Sequence, residues 1–341
     1  MKAEILATHT PALFAAAVAR AAELLGRGGI AALPTETVYG LAGNALDSAV
    51  VDRIFAAKGR PATNPVIVHV GSLDLAMECA GHWPPMAERL AAAFWPGPLT
   101  LVVPRGRRIP DRVTAGGPTV GIRWPSHPFL PAVVRACGLP LAAPSANLSN
   151  QLSPTSAAHV FKQLGDRIPL IVDGGDCNVG IESTVVDVSG LVPVILRPGM
   201  IRADAILAAA AGSDVLQSAP EPLRAGPLRS PGLMPVHYAP RAQLRCLSWS
   251  DENDLRRQLS ALGADPGRTW VMAHTRIPMG GGNGWPWVSV IPHDAEAFAR
   301  ALYSELHQAD DAGVEWIIVE ELPLEPEWAG IADRLLRASR R

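Results

Sequence analysis

The sequence predicts an α/β protein built as two domains, and three observations carry this. Short apolar segments with strand character alternate with amphipathic stretches along most of the chain, the pattern of sheets covered by helices. The chain has 341 residues, long for a single core, and 48% of them are hydrophobic, which excludes a chain disordered throughout. A Pro- and Gly-rich stretch, residues 213–242, lacks helical period and separates two regions of regular alternation.

Composition excludes several classes. A net charge of −2 gives no support for coating nucleic acid through bulk charge. Arg105, Arg107, Arg108 and Arg112 form one local basic patch, for which a solvated loop is the favoured reading. The four cysteines (Cys79, Cys137, Cys177, Cys246) show no CxxC pair, against both a structural zinc site and a disulfide framework. Arg20, Glu23 and Arg27 interrupt the N-terminal apolar stretch, unlike a signal peptide. No uninterrupted apolar run approaches the roughly 20 residues that span a bilayer. A membrane role is not expected, and the cytoplasm is the simplest setting.

Taken in order, Pro11–Leu25 reads as an amphipathic helix with Thr10 as N-cap and Pro11 at its first position. The next stretch, residues 30–70, organises the rest. A buried strand, Ile30–Leu33, stops at Pro34 and delivers Thr35, Glu36 and Thr37 at its end, where open α/β sheets place ligands. A tight Gly40/Gly43 segment follows, then a helix from about Ala49 to Lys58 that ends in Lys58-Gly59-Arg60-Pro61. Asn64-Pro65 leads into a second apolar strand, Val66–Val70, interrupted by His69. Read as one strand–helix–strand unit, this gathers hydroxyls, two cations, an amide and an imidazole. His69 also fits a satisfied core histidine.

Leu73–Ala80 and Pro85–Phe94 read as helices, and Leu99–Val103 as a strand. A short strand after Pro118 puts Thr119, Gly121 and Arg123 on one face, because alternate residues share a face. Such an arginine is either paired within the structure or awaits an anion, and its planar fork suits a carboxylate. A helix over 127–136 and a strand at Leu139–Ala143 lead to Pro144-Ser-Ala-Asn-Leu-Ser149, small polar residues that let backbone N–H groups approach phosphate. Strand Leu170–Asp173 follows, then Glu182-Ser183-Thr184 at a strand start, strand residues Val194–Arg197, and a helix at Arg202–Ala211. Taken alone, Arg197 fits a salt-bridged strand-end arginine.

Beyond Gln243, Thr269–Ala273, Val288–Ile291 and Trp316–Val319 read as strands, and Asp251–Leu262, Ala295–Ala309 and Ala329–Ala338 as helices, a small α/β domain. Gly280–Gly284 runs into Trp285-Pro286 rather than opening a helix, so it reads as a turn and not a nucleotide loop. No G-x-S-x-G, H-E-x-x-H or Walker pattern occurs. Hydroxyls, arginines, one lysine and one histidine fit catalysis by positioning and charge neutralisation.

PTETVYGL, KGRP and NPVIVHV, in this order, followed by PSANLS with Ser153-Pro154-Thr155 and by SPG…HYAP, resemble the YrdC/Sua5 family, the threonylcarbamoyl-AMP synthases of tRNA modification. The resemblance is strong over residues 10–240 and weaker over 241–341. It implies a YrdC-like open twisted sheet with flanking helices over 1–212 and a linker over 213–242 that folds back over the active site. A small Rossmann-like Sua5 domain would then occupy 243–341. It also implies nucleotidyl transfer: L-threonine, bicarbonate or CO2, and ATP with Mg2+ give threonylcarbamoyl-AMP and pyrophosphate. Transferase proteins downstream would place the product on adenosine 37 of tRNA, and a weak contact with RNA is compatible with the family.

By the same resemblance, Thr35, His69, Arg123, Ala143 and Ser183 bind threonine, Arg123 through its carboxylate. Lys58, Arg60, Asn64, Thr119, Ser145, Ser153, Arg197 and Tyr238 bind ATP, with Lys58 and Arg60 acting in catalysis. No residue is assigned as a metal ligand. Relatives carry basic and aromatic residues between Gly232 and His237, where this chain has Leu233, Met234, Pro235 and Val236, although Tyr238 is kept. Three alternatives stand beside this: a non-catalytic RNA-binding protein, a hydrogenase-type carbamoyl-adenylate enzyme, and a nucleotide sensor. The second normally brings an acylphosphatase-like segment and Cys-rich motifs, and this chain has neither.

Overall fold

A computed structural model describes residues 2–61, 63–211, 238–278 and 285–340. It divides into two units, one of Met1–Ser149 with Ser153–Leu233, the other of Asn150–Leu152 with Met234–Arg341. Most of the expected linker, including Leu233–Val236, and the glycine run Gly280–Gly284 lie outside the described residues.

The first unit is built on strands β1 (Glu4–Ala7), β2 (Ala31–Leu33), β3 (Gly40–Asn44), β4 (Val68–His69), β5 (Leu99–Pro104), β6 (Thr119–Arg123), β7 (Leu141–Ala142), β8 (Leu170–Asp173), β9 (Thr184–Asp187) and β10 (Val194–Arg197). They form one mixed sheet in the order β1-β8-β2-β3-β7-β4-β6-β5-β9-β10. Its helices are α1 (Pro11–Gly26), α2 (Ser48–Lys58), α3 (Leu73–Cys79), α4 (Pro85–Phe94), α5 (Asp111–Thr114), α6 (Phe129–Cys137), α7 (Ala157–Leu164) and α8 (Ala203–Ala210). Thr10 caps α1, accepting from Leu13 N at 3.2 Å, and Asp47 caps α2, accepting from Ala49 N at 2.8 Å. The expected sheet with flanking helices is therefore observed.

Strand alternation divides the side chains between two faces of the sheet. One face packs on the larger core, where Ala32, Leu41, Val68, Leu101, Ile122 and Val186 join Val50 and Ile54 of α2, Leu90 of α4 and Val160 of α7. On the other face an apolar core covers only one half: Leu33, Ala42, Leu141 and Val172 meet Leu25 of α1 and Phe129 and Val133 of α6. The second half is different. Register places His69 beside Arg123, and Val185 beside both Thr100 and Arg197, on this same face. Its apolar content is the small cluster of Val102, Val185 and Leu196. A polar floor thus lies next to a conventional core.

Three expectations are corrected. Residues 30–70 are not one strand–helix–strand unit, because a further strand lies between the first strand and the helix. The glycine segment is itself strand β3, which pairs antiparallel with β2 (Leu33 opposite Gly40), so Pro34–Tyr39 is a connection between antiparallel neighbours. Val66–Val70 contributes only Val68 and His69 to the sheet, and Leu139–Ala143 only Leu141 and Ala142. Strands β1 and the one at Gln243–Leu247 were not expected; both are sheet edges with partly exposed side chains, such as Ile5, and lack the apolar run of a central strand.

The second unit is a parallel four-stranded sheet of β11 (Gln243–Leu247), β12 (Thr269–Ala273), β13 (Trp287–Val290) and β14 (Trp316–Glu320), in the order β11-β14-β12-β13. Its helices are α9 (Glu252–Leu262), α10 (Ala295–Ala312) and α11 (Ala329–Ala338). Among the described residues no helix is long and apolar enough to cross a membrane.

Gly43 is where α2 meets the sheet. A Cβ there would lie 2.6 Å from Val50 Cγ1 and 3.1 Å from Ile54 Cδ1. Gly43→Val should therefore destabilise the first unit by about 1–3 kcal/mol, read as a lower urea midpoint in equilibrium unfolding. An unchanged midpoint would contradict this packing.

Candidate active site

The loop from Pro34 to Tyr39 is pinned at both ends. Thr35 Oγ1 donates to Val38 O at 2.6 Å and lies 3.0 Å from Thr37 Oγ1, which closes the turn on itself. Tyr39 donates its hydroxyl to Gly175 O at 2.7 Å and accepts from Gly174 N at 3.1 Å. Between these anchors Glu36 points inward, only 5% exposed. Its Oε1 lies 2.8 Å from Arg123 Nη2 and accepts from Ser126 N at 3.0 Å. Arg123, at the end of β6, also donates Nη1 to Thr37 Oγ1 at 2.8 Å and Nε to Gly97 O at 3.3 Å. Of the two readings of Arg123 that the sequence left open, pairing within the structure is thus observed.

The pairing is incomplete. Arg123 Nη2 stands at ion-pair distance from Glu36, yet its N–H groups are not aligned for a hydrogen bond. Glu36 Oε2 and His69 Nδ1 are likewise buried without a hydrogen bond among the described residues. His69 is Arg123's neighbour across β4 and β6. Buried polar atoms are normally satisfied, so three at one point mark a place built to receive polar groups.

Charge states follow from burial and neighbours. Burial opposes ionisation of Glu36, but the positive charge of the adjoining Arg123 guanidinium and the Ser126 N–H outweigh it and hold the carboxyl below its ordinary range. Burial, helped by Arg123, lowers His69 to about 3, so the imidazole is neutral.

A second group forms around α2's end. Gly59, left-handed at φ 61°, stops the helix between two cations, with Gly59 N bonded to Ala56 O and Arg60 N to Phe55 O. Lys58 is buried, its Nζ within reach of Ser145 O, Asn147 O at 2.6 Å and Asn147 Oδ1 at 3.2 Å. Burial, then Arg60, push Lys58 well below the usual lysine range, while three oxygens matching the three N–H of an ammonium work against this. Arg60 turns back to Pro65 O at 2.8 Å and Asn64 O at 3.3 Å. Ser145 Oγ donates to Asn147 Oδ1 at 2.5 Å. Ala143 N bonds to Ile67 O, and a Cβ at Gly40 would come 3.2 Å from the Ala143 Cβ.

A third group joins Arg197 to Ser183, through Nε to Ser183 O and Nη2 to Ser183 Oγ, both 3.1 Å. Ser183 Oγ also lies 2.8 Å from Thr100 Oγ1. Ser153 Oγ donates to Glu182 Oε1 at 2.5 Å. Thr119 is half-buried at the other end of β6 from Arg123. Tyr238 belongs to the second unit, where its buried ring lies 6.0 Å from that of Tyr303 and under the Arg334 guanidinium.

The sequence reading gave no role to Glu36, Asn147, Thr100 or Glu182. Asn147 carried a signal, since it lies within the small polar run after β7 and could hold its neighbours. Of the basic run, Arg105, Arg108 and Arg112 pair with Asp111, Glu78 and Asp52, consistent with a solvated surface. Among the described residues no group of three or more His, Cys, Asp or Glu could hold a metal ion.

Residues 23–199 match the Sua5/YciO/YrdC family model, described as "Telomere recombination", and residues 200–340 match "Threonylcarbamoyl-AMP synthase, C-terminal domain". The chain belongs to the Sua5 family. A Bacillus subtilis relative named threonylcarbamoyl-AMP synthase is 40% identical over 325 residues, covering 94% of this chain and 92% of the relative. A Pyrococcus abyssi protein of the same name is 37% identical over 321 residues, covering 94% and 93%. The crystal structure of Pyrococcus abyssi Sua5 complexed with L-threonine superposes with a TM-score of 0.84 at 32% identity, covering 99% of this chain and 98% of that one. Among Sua5 proteins, this one therefore has both domains of the two-domain form.

The neutral His69 gives a pH dependence. Between about pH 6.5 and 3 an unfolded histidine takes up a proton that the folded one refuses, so stability falls as pH falls through that window. The lowered Glu36 acts in the same direction below the ordinary carboxylate range. Wild type should lose stability more steeply on acidification than His69→Asn, by up to ~1.4 kcal/mol per pH unit, in urea titrations at stepped pH. Parallel curves would contradict a neutral buried imidazole.

Proposed function

We propose that this chain makes L-threonylcarbamoyladenylate from L-threonine, bicarbonate or CO2, and ATP, releasing pyrophosphate, for the threonylcarbamoylation of adenosine 37 in tRNA. The observation that carries this reading is the buried Arg123 beside Glu36 and His69, each with unused hydrogen-bonding capacity. The names of the relatives and the L-threonine complex of the Pyrococcus abyssi protein support it.

Threonine's amine captures CO2 to give N-carboxythreonine, whose new carboxylate attacks the α-phosphorus of ATP and expels pyrophosphate. Two anions must meet, which is unfavourable without cations close by. Arg123 holds the amino-acid carboxylate, and Thr35 and Ser183 with the Ala143 backbone line the same subsite. His69 Nδ1 takes the threonine hydroxyl, so valine leaves a buried polar atom unpaired and is rejected. Arg60 and Arg197 neutralise the triphosphate, while Lys58 adds charge and holds the Ser145–Asn147 turn in shape. Asn64, Thr119, Ser145 and Ser153 complete the nucleotide contacts of the first unit. The bond from Arg197 to Ser183 couples the two subsites.

Mg2+ would enter as an ion carried by ATP, held by phosphate oxygens and water, because among the described residues no group of three or more His, Cys, Asp or Glu could hold it. The product passes to a transferase acting on tRNA.

Pyrophosphate release from the purified chain with ATP, Mg2+ and bicarbonate should depend on L-threonine, and release indifferent to threonine would overturn the proposal. Arg123→Lys keeps the charge but loses the planar fork, so the threonine KM should rise about tenfold or more with the ATP KM little changed.

A further inference from the structure

We propose that Glu36 is itself a threonine-binding residue: its oxygen Oε2 takes the α-ammonium of the amino acid while the adjoining Arg123 guanidinium takes the α-carboxylate. The inference rests on the proposed threonine site and assigns the half of that site for which the sequence offered no residue.

Glu36 is 5% exposed and Arg123 4%, so neither is free to turn to solvent. Only one carboxylate oxygen is used, by Arg123 Nη2 at 2.8 Å and Ser126 N at 3.0 Å, while Oε2 makes no hydrogen bond among the described residues. An ionised carboxylate with one oxygen buried and unsatisfied is costly, and a cationic N–H donor removes that cost.

The geometry selects the ligand. A zwitterionic α-amino acid carries its positive and negative groups on adjacent atoms. Glu36 and Arg123 present the complementary negative and positive groups side by side, and His69 Nδ1 adds a third unsatisfied atom for a side-chain hydroxyl. An acid with no group at C2 lacks the donor for Oε2, and an amino alcohol lacks the acceptor for Arg123. The contact also survives N-carboxylation, because the nitrogen keeps one N–H to donate.

The test is calorimetric titration of the full chain with L-threonine and with its deaminated analogue (R)-3-hydroxybutyrate, in wild type and Glu36→Gln, with ATP titrated as control. Wild type should bind threonine at least about tenfold more tightly than the analogue. Glu36→Gln should lose about 10- to 100-fold for threonine and far less for the analogue, with ATP affinity kept. Equal losses for both ligands would mean that Glu36 only props Arg123, and would overturn the inference. Should Glu36→Gln not fold, the wild-type comparison decides, equal affinity for the two ligands being the overturning result. A wild type that releases pyrophosphate with threonine yet shows no preference overturns this inference alone. One that binds no threonine overturns the proposed function with it.

Discussion

The buried ion pair between Glu36 and Arg123 is the constraint on which the rest of the site depends. It ties the connection between β2 and β3 to the end of β6, two segments that no backbone ladder joins directly. A pair this deep gives up most of its hydration, and its attraction is offset unless other hydrogen bonds help. Ser126 N, Thr37 Oγ1 and Gly97 O supply them. Removing one partner alone would strand the other charge, at about 3–5 kcal/mol, so the pair acts as a unit. What it does not satisfy is as informative as what it does: Arg123 Nη2 and Glu36 Oε2 keep hydrogen-bonding capacity that no described residue uses.

The sheet explains why such a pair can exist at all. Its first face, and half of its second, are closed by apolar helices and have no room for unsatisfied polar groups. On the remaining half, β4, β6, β5 and β10 turn His69, Arg123, Thr100 and Arg197 to one side, and Ser183, just before β9, is hydrogen-bonded to Thr100 and Arg197. Gly121 keeps the middle low, since a Cβ there would come 3.2 Å from Thr100 Cγ2. The short strands β4 and β7 end where the polar loops begin, so motifs far apart in the chain meet along one stretch of sheet. The proposed chemistry needs little more than this: fixed cations, fixed hydroxyls and a low-dielectric floor on which charge differences count.

Much of this was legible in the sequence, unevenly and for physical reasons. Strands buried on both faces, such as Leu99–Pro104, announce themselves through β-branched and leucine runs. Gly40–Asn44 does not, because its glycines look like a turn; Gly43 is a strand residue that must let α2 approach. The helix cap at Thr10 was readable because capping is local. Arg123, His69 and Ser183 were found through motifs, and the structure places Arg123 and His69 on one face of adjacent strands. Glu36 was passed over because a glutamate between two threonines after a proline looks solvated, and its partner lies on a distant strand. Long-range pairing of charges leaves no periodic trace.

The most direct test of the central claim is a crystal structure of this chain grown with L-threonine. The amino acid should lie on the polar half-face, its carboxylate about 3 Å from Arg123 Nη2, its ammonium on Glu36 Oε2 and its hydroxyl on His69 Nδ1. Threonine bound elsewhere, or bound with Glu36 and Arg123 turned only toward each other, would contradict it.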